Sequence, residues 1–133
     1  MKGYVSMAGL KLLFVDDEEE LVSAVVERLE LRDVAAVGVT TGEAALQRLR
    51  EEPFDVVVLD VKMPGVGGLD VLSTINRRHP DVQVILMTGH GSSDDTELGL
   101  RLGAVACLQK PVELETLLET AQAAAAKRKG PRS

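Results

Sequence analysis

Five polar side chains lie within two residues of the ends of apolar runs, at points where the sequence predicts that strands end. They are Asp16, Asp17, Asp60, Thr88 and Lys110. Three carboxylates brought together repel one another, so such a cluster requires either protonation or a cation. Oxygen ligands without Cys or His favour a hard ion such as Mg²⁺. A lysine and a threonine hydroxyl beside that ion supply the charge and the donor that hold a phosphoryl group.

Each of these residues alone has an ordinary structural explanation. An Asp at a strand end often caps a helix, and the acidic run 16–20 could simply be the first turn of a helix. Spacing favours a shared site instead. The separations are 44 residues from Asp16 to Asp60, 28 from Asp60 to Thr88 and 22 from Thr88 to Lys110. Each corresponds to about one or two strand–helix units.

The elements that would position these residues alternate along the chain. Apolar runs rich in β-branched residues predict strands at 10–15, 35–39, 56–59, 82–87 and 105–108. Three of the runs are almost continuously apolar, as expected for parallel strands covered on both faces. Apolar residues at helical spacing predict a helix after each strand, and the fourth, at about 92–102, has the weakest pattern. We therefore predict an α/β fold, a (βα)5 doubly wound parallel sheet with helices on both faces and ligands beyond the carboxyl ends of its strands.

Capping residues and glycines support this division. Thr41 is expected to cap the second helix, and Ser92 or Ser93 the fourth. Three glycines are expected to mark joints between elements: Gly38, Gly42 and Gly103.

Length and composition limit the chain to one domain. Its 133 residues are 45% hydrophobic, 27% charged and 2% aromatic, which allows a single aliphatic core. No apolar run approaches the roughly 20 residues of a membrane span. Residues 1–10 do not resemble a signal peptide, and the single Cys107 cannot form an internal disulfide. The expected location is the cytoplasm, without membrane contact.

The charge distribution argues against binding to nucleic acid. The chain has 21 acidic and 15 basic residues, a net charge of −6. Four of those bases lie in the tail 127–133, so the rest of the chain has 21 acids against 11 bases, or −10. An acidic body with three aromatic residues repels phosphates and offers no platform for base stacking. The basic tail is expected to be a solvated terminus, with contact to an acidic partner or a nucleic acid as the alternative.

Four motifs at the predicted strand ends resemble the receiver domain (CheY-like) of bacterial two-component response regulators. They are VDD at 15–17, LDVKMPGVGGLD at 59–70, MTG at 87–89 and KP at 110–111. The resemblance covers about 10–127 and leaves 1–9 as an N-terminal extension and 128–133 as a basic C-terminal tail. It implies the flavodoxin-like strand order 2-1-3-4-5. It also implies a signalling domain that catalyses only its own aspartyl phosphorylation and dephosphorylation, and not a turnover enzyme.

The resemblance also implies roles for residues around the site. Asp60 is the phosphoacceptor, which takes a phosphoryl group from a sensor histidine kinase or a phosphotransfer protein. Asp16, Asp17, Asp60 and the backbone carbonyl of Lys62 are implied to hold Mg²⁺. The backbone amides of Lys62 and Gly89 would face the phosphoryl oxygens. Glycine suits the latter position because it has no side chain.

The resemblance also implies which residues change conformation on phosphorylation, and one of them departs from the family pattern. Thr88 would move toward the phosphoryl group while Lys110, aimed by a cis bond to Pro111, neutralises charge. An aromatic residue on the fifth strand would turn inward, but Cys107 stands at that position and no aromatic residue follows Asp55. We therefore expect the output to depend on Thr88 and helix four, with Cys107 a small buried apolar residue.

The face made by helix four, strand five and helix five would then bind a downstream effector protein or output domain, or form a phosphorylation-linked homodimer. Two more positions, Lys62 and His90, tune the chemistry in the family. Lys62 is expected to shield the acyl phosphate from water and slow its loss. His90 is either a second tuning residue or a solvated loop residue.

Three other interpretations compete with the receiver. A pseudo-receiver that works as an interaction module without phosphorylation would normally lack one of the five key residues, and this chain lacks none. A haloacid dehalogenase-type phosphatase would have two acids separated by one residue after the first strand, whereas Asp16 and Asp17 are adjacent. A nucleotide-binding enzyme would have a glycine-rich phosphate-binding loop after the first strand, and this sequence has none there. The tail fits either a free-standing receiver or the first domain of a longer regulator.

Overall fold

The computed structural model describes residues 9–89 and 93–127 of the chain. Five strands alternate with five helices in this part of the chain. The strands are β1 Lys11–Val15, β2 Ala35–Val39, β3 Val56–Asp60, β4 Gln83–Thr88 and β5 Ala106–Gln109. The helices are α1 Glu19–Glu30, α2 Gly42–Glu51, α3 Gly68–Arg78, α4 Ser93–Arg101 and α5 Leu114–Ala126.

The strands form one parallel sheet in the order β2-β1-β3-β4-β5. This confirms both the predicted fold class and the predicted strand order. No strand end differs from the prediction by more than one residue. Strands β3, β4 and β5 extend one residue further than predicted at their carboxyl ends, because main-chain pairing continues into polar residues. Asp60 and Thr88 are the last residues of β3 and β4, where they pair with Met87 and Gln109.

Alternate strand residues point into two apolar cores, one on each face of the sheet. On one face the strand residues pack against α1 and α5, including Val22, Leu29, Leu118 and Ala121. On the other face they pack against α2 and α3, including Ala45, Leu49, Leu72 and Ile75. The continuous apolar character of the central strands therefore has a simple cause, since β3 is buried on both sides.

Two glycines permit close helix packing, and one of them corrects the prediction. Gly38 lies inside β2 and does not mark a joint. A Cβ at Gly38 would clash with the side chains of Val22 and Val26, so glycine lets α1 approach this strand. Gly99 of α4 does the same toward Leu86 of β4.

Other predicted joints and caps are found in the structure. The Thr41 hydroxyl accepts a hydrogen bond from the Ala44 amide at 3.0 Å, and Gly42 is the first residue of α2. Gly103 has a φ of +112°, a left-handed conformation that favours glycine. The alternative cap Ser92 lies outside the described residues, and α4 begins at Ser93.

Most residues at the two ends of the chain lie outside the described ranges. The predicted extension 1–9 contributes only Gly9, and the tail 128–133 is not among the described residues. Within the described ranges, no helix has both the length and the apolar character that crossing a membrane requires.

Candidate functional site

The carboxyl ends of the four strands β1, β3, β4 and β5 converge at one edge of the sheet, here called the carboxyl edge. The polar residues there are Asp16, Asp17, Asp60, Thr88 and Lys110. Parallel pairing brings them together because neighbouring strands end at the same level. In particular, the Lys110 amide donates to the Thr88 carbonyl at 2.7 Å, which fixes the start of the loop after β5 beside β4.

Asp16 is fully buried, with 0% of its surface exposed. Its Oδ1 accepts a hydrogen bond from the Glu18 amide at 2.9 Å, and its Oδ2 accepts one from Lys110 Nζ at 2.8 Å. The first bond closes a turn at the entrance to α1. Both carboxylate oxygens therefore have a donor, and Asp16 is held in one orientation.

Asp60 is also buried, with 5% of its surface exposed, but its hydrogen bonds are longer. Its Oδ1 accepts from the Lys62 amide at 3.3 Å, and its Oδ2 lies 3.5 Å from Lys110 Nζ. Burial raises the pKa of the Asp60 carboxyl; the nearby charge of Lys110 opposes this effect and that of Asp16 adds to it. The result is a carboxylate that is incompletely neutralised.

Lys110 is the shared counter-ion of this edge. Its Nζ contacts Asp16 and Asp60, and Glu18 Oε1 lies 3.8 Å away. Burial lowers the pKa of Lys110, but the hydrogen bond to Asp16 and the charges of Asp60 and Asp16 outweigh it, so the pKa is raised. The lysine therefore stays charged near neutral pH. The bond from Lys110 to Pro111 is cis.

The three acidic residues Asp16, Asp17 and Asp60 each offer a carboxylate oxygen within 4.8 Å of the others. Asp17 is exposed, so the group opens to solvent on its side. The donors are all oxygens, and the two buried members share one lysine. This donor set fits a hard divalent cation such as Mg²⁺, which prefers carboxylates and retains water molecules.

The loop after β3 contributes backbone groups and one exposed lysine. The Lys62 side chain is exposed, and its amide donates to Asp60 as described above. A Cβ at Gly68 would clash with the Asp60 carbonyl and with Val61, so the loop folds back tightly against β3. No described atom lies within 4 Å of a Cβ built on Gly89, so packing alone does not require glycine there. His90 lies outside the described residues.

The predicted switch positions lie on β4, β5 and α4. Thr88 is buried, with 4% of its surface exposed. Cys107 is half-buried, whereas the sequence predicts a small buried residue at this position. Its Sγ lies 3.5 Å from Thr96 Oγ1 of α4, and its side chain packs against the core beneath α3. The position therefore links β5 to α4 through a small polar contact.

Sequence reasoning missed two contributors to the site. In the sequence Glu18 is simply part of an acidic run, yet its amide fixes Asp16 and its carboxylate lies near Lys110. The pattern Asp-x-Glu at the start of a helix is a signal for the turn that places them. Nothing in the local sequence distinguishes Gly68, but it lies against the backbone of Asp60, eight residues before it.

Comparisons with known proteins identify relatives over most of the chain. The family described as response regulator receiver domain matches residues 12–122. The response regulator protein FleR of Pseudomonas aeruginosa is 39% identical over 109 residues, which is 82% of this chain. The transcriptional regulatory protein CpxR of Escherichia coli K12 is 41% identical over 101 residues, or 76% of this chain.

A solved structure shows the same fold. The crystal structure of a response regulator receiver domain protein from Clostridium thermocellum has a TM-score of 0.84 and 31% sequence identity, covering 89% of this chain and 95% of that one. The two named regulators are much longer than the matched region. The chain spans 23% of the length of FleR and 43% of the length of CpxR.

Proposed function

The chain belongs to the response regulator receiver domain family, and from this premise we propose that it is a phosphoacceptor switch whose phosphorylated residue is Asp60. The phosphoryl donor would be a sensor histidine kinase or a phosphotransfer protein. The domain would act in the cytoplasm and catalyse only its own phosphorylation and dephosphorylation. A downstream effector protein or output domain would receive the signal.

One observation carries this proposal: two buried carboxylates share a single lysine, and one of the two is poorly neutralised. Asp16 has close donors on both oxygens, whereas both contacts of Asp60 are longer than 3.2 Å. Buried charged groups that serve stability are usually fully paired. Asp60 instead keeps a carboxylate oxygen available as a nucleophile, at the open end of a parallel sheet.

The chemistry follows from the positions of these groups. An Asp60 carboxylate oxygen attacks phosphorus in the phosphohistidine, the P–O bond forms, and the P–N bond breaks as the imidazole leaves with its electron pair and takes up a proton. Lys110 stays charged and offsets the negative charge of the transferred group. The Thr88 hydroxyl and the backbone amides of Lys62 and Gly89 donate hydrogen bonds to phosphoryl oxygens.

The acidic cluster supports a role for Mg²⁺. Asp16, Asp17, Asp60 and the carbonyl of Lys62 would hold the ion. When bound, Mg²⁺ neutralises the charge that builds up on the phosphoryl oxygens. Asp16 keeps its orientation through the Glu18 amide and Lys110, so the ligand is already aligned.

The output surface would be the face formed by α4, β5 and α5. Leu98 and Leu100 of α4 are 42% and 47% exposed, and Val105 before β5 is 36% exposed, so apolar side chains of α4 and of the segment before β5 are open to a partner. Thr88 ends β4 and pairs with Gln109 of β5, and the contact between Cys107 and Thr96 joins β5 to α4. Movement of Thr88 would reach α4 along β5, without an aromatic side chain. The same face could join two copies of the phosphorylated domain.

The exposed Lys62 side chain next to Asp60 would shield the acyl phosphate from water. We expect the aspartyl phosphate of Lys62→Ala to decay about threefold faster than that of the wild type, since one surface charge contributes less than about 1 kcal/mol. Decay is followed by intact mass after removal of the phosphodonor. Lys127→Ala, another exposed lysine, should decay as the wild type does. A Lys62→Ala lifetime equal to or longer than the wild-type lifetime contradicts this role.

The central test combines phosphodonor, metal and nucleophile. The protein is incubated with Mg²⁺ and acetyl phosphate, and its intact mass is compared for the wild type, Asp60→Asn, Asp70→Asn, and the wild type with EDTA. Asp70 is an exposed acid on α3 and serves as the matched control. A single phosphoryl adduct is expected on the wild type and on Asp70→Asn only.

The alternative function, a pseudo-receiver that binds partners without phosphorylation, predicts a different result. It has one observation in its favour, namely that Cys107 stands where an aromatic residue is expected. No adduct on the wild type, with Mg²⁺ binding demonstrated separately, would contradict phosphorylation and favour this alternative. An adduct that persists in Asp60→Asn would contradict the choice of phosphoacceptor.

A further inference from the structure

A cavity of about 620 Å³ lies between α1 and α5, on the face of the sheet opposite α2 and α3. Its volume falls within the range of about 300–1,000 Å³ that is usual for small-molecule sites. Most residues that line it are apolar. They include Phe14, Leu21, Val25, Met87, Leu114 and Leu117.

The floor of this cavity is formed by the sheet itself. Phe14 of β1 and Met87 of β4 are core residues, with 2% and 1% of their surfaces exposed. Leu21 and Val25 of α1 and Leu114 of α5 are only half-buried, and they form the walls. A ligand in this space would remove apolar surface from water, which favours binding. The cavity therefore favours an apolar body, such as a small aromatic ring system.

The charged residues of the lining indicate the rest of the ligand. Over the described parts of the chain these are Glu18, Arg28 and Lys110. Lys110 is engaged by Asp16 and Asp60, and Glu18 lies beside Lys110. Arg28 is exposed and makes no ion pair with any residue that the structure describes.

One helical turn beyond Arg28, Arg32 shows what this rim can bind. Its Nη1 lies 2.5 Å from Glu115 Oε2, so a guanidinium at the end of α1 holds a carboxylate of α5. Arg28 presents the same group beside the opening of the cavity, without a carboxylate from the described residues. An anionic group on the ligand would supply that partner.

We propose that the cavity binds a small amphiphile, with an apolar ring system against Phe14 and Met87 and one anionic group paired with Arg28. This site is separate from Asp60, and its occupation requires neither Mg²⁺ nor phosphorylation. Gly89 and Lys110 line its end nearest the carboxyl edge, so the bound ligand lies next to the phosphoryl site.

The test uses two fluorescent probes with the same aromatic body. One is 1-anilinonaphthalene-8-sulfonate, which carries an anionic group, and the other is N-phenyl-1-naphthylamine, which does not. Each is titrated into the whole chain in EDTA without a phosphodonor, so failure of the phosphorylation proposal does not affect the result. The variants are Arg28→Gln and Ala24→Phe, since Ala24 of α1 lines the cavity. Their matched controls are Arg101→Gln on α4 and Ala123→Phe on α5, both at exposed positions outside the lining.

We expect saturable binding of the sulfonate at one site. Arg28→Gln should weaken it about fivefold with little change for the uncharged probe, as expected for one exposed charge pair. Ala24→Phe should weaken both probes at least tenfold, because the added ring occupies the cavity. Both control variants should bind as the wild type does.

Two results would overturn the proposal: no saturable binding of the sulfonate to the wild type, or unchanged binding to an Ala24→Phe variant with a wild-type circular dichroism spectrum. Equal weakening of both probes by Arg28→Gln would overturn the assignment of the anionic group. Amide NMR of the wild type gives a measurement that depends on no variant. Sulfonate-induced shifts confined to α1, the loop after β5 and α5 support the site, whereas shifts centred on α4 contradict it.

Discussion

The two edges of the sheet both carry buried or half-buried charges, but they balance them differently. At the amino edge, where the strands begin, the charged groups are Lys11, Arg48, Glu52 and Asp55. Glu52 pairs with Lys11 and with Arg48, the latter at 2.6 Å. At the carboxyl edge, by contrast, Asp16 and Asp60 depend on the single cation Lys110.

One carboxyl group at each edge has a shifted pKa, and the two shifts have opposite directions. The hydrogen bond from Lys11, aided by nearby Arg48, lowers the pKa of Glu52 below its usual value. Burial raises the pKa of Asp60 above its usual value. The amino edge thus stabilises its charges in the folded protein, whereas the carboxyl edge keeps a charge that the fold disfavours. A bound cation would relieve that cost, and this is the difference between an edge that holds the fold together and one that can respond to a ligand.

The largest expected contrast concerns the two lysines. Lys110→Met should slow phosphorylation by acetyl phosphate about 100-fold or more, because it removes the charge that stabilises the transferred group. Lys11→Met at the amino edge removes a lysine of similar exposure and should leave the rate within about twofold. Rates are measured from the growth of the phosphoryl adduct in intact mass spectra.

Circular dichroism of both variants provides the control for folding. A folded Lys110→Met that reacts within a few-fold of the wild type would mean that the carboxyl edge does not depend on its cation. An equal loss in a folded Lys11→Met would remove the distinction between the two edges.

The next contrast concerns stability. Because the folded-state pKa of Asp60 is raised, ionisation above that pKa costs the folded state more than the unfolded state. Asp60→Asn should therefore increase the free energy of unfolding at pH 7, because the amide cannot ionise. Asp55→Asn should decrease it by about 1–2 kcal/mol, since buried Asp55 accepts the Lys11 amide at 2.9 Å and a neutral amide oxygen is a weaker acceptor than a carboxylate.

Urea denaturation in EDTA measures both variants against the wild type. If both substitutions change the free energy of unfolding in the same direction, the two edges do not differ in how they stabilise buried charge. A stabilised Asp60→Asn with a destabilised Asp55→Asn would show that the cost of buried charge is confined to the carboxyl edge.

Most of the fold, and the positions around which the site forms, could be predicted from the sequence. Continuous apolar runs predicted strands that are covered on both faces. Polar residues at the ends of those runs predicted a site at the carboxyl ends of the strands. Asp55 escaped notice because it stands before an apolar run and not after it, although it is as buried as Asp60. Its role depends on the amide of Lys11, 44 residues away, which no local pattern contains.

The packing of elements that are distant in the chain could not be predicted from the sequence either. The sequence predicts a joint at Gly38, whereas this residue lies inside β2 and is a glycine because two valines of α1 fill the space above it. The cavity between α1 and α5 depends on how far apart two helices sit over the sheet. Helical periodicity identifies which face of each helix is buried, but it does not determine that distance.

The smallest expected effect is the pH dependence of the two edges. The folded-state pKa of Glu52 is lowered, so its contribution is present above the unfolded value of 4.5 and is lost as pH falls through the folded value. Glu52→Gln should thus be slightly less stable than the wild type near neutral pH and equal to it in strong acid. Asp60→Asn should instead be more stable than the wild type near neutral pH. Its stability should also become equal to that of the wild type as Asp60 is protonated at lower pH. Urea midpoints from pH 7 to pH 3 measure both curves. Stability differences of the same sign in the two variants would mean that both edges balance charge in the same way. The half-buried ion pairs of Glu52 should also weaken in high salt.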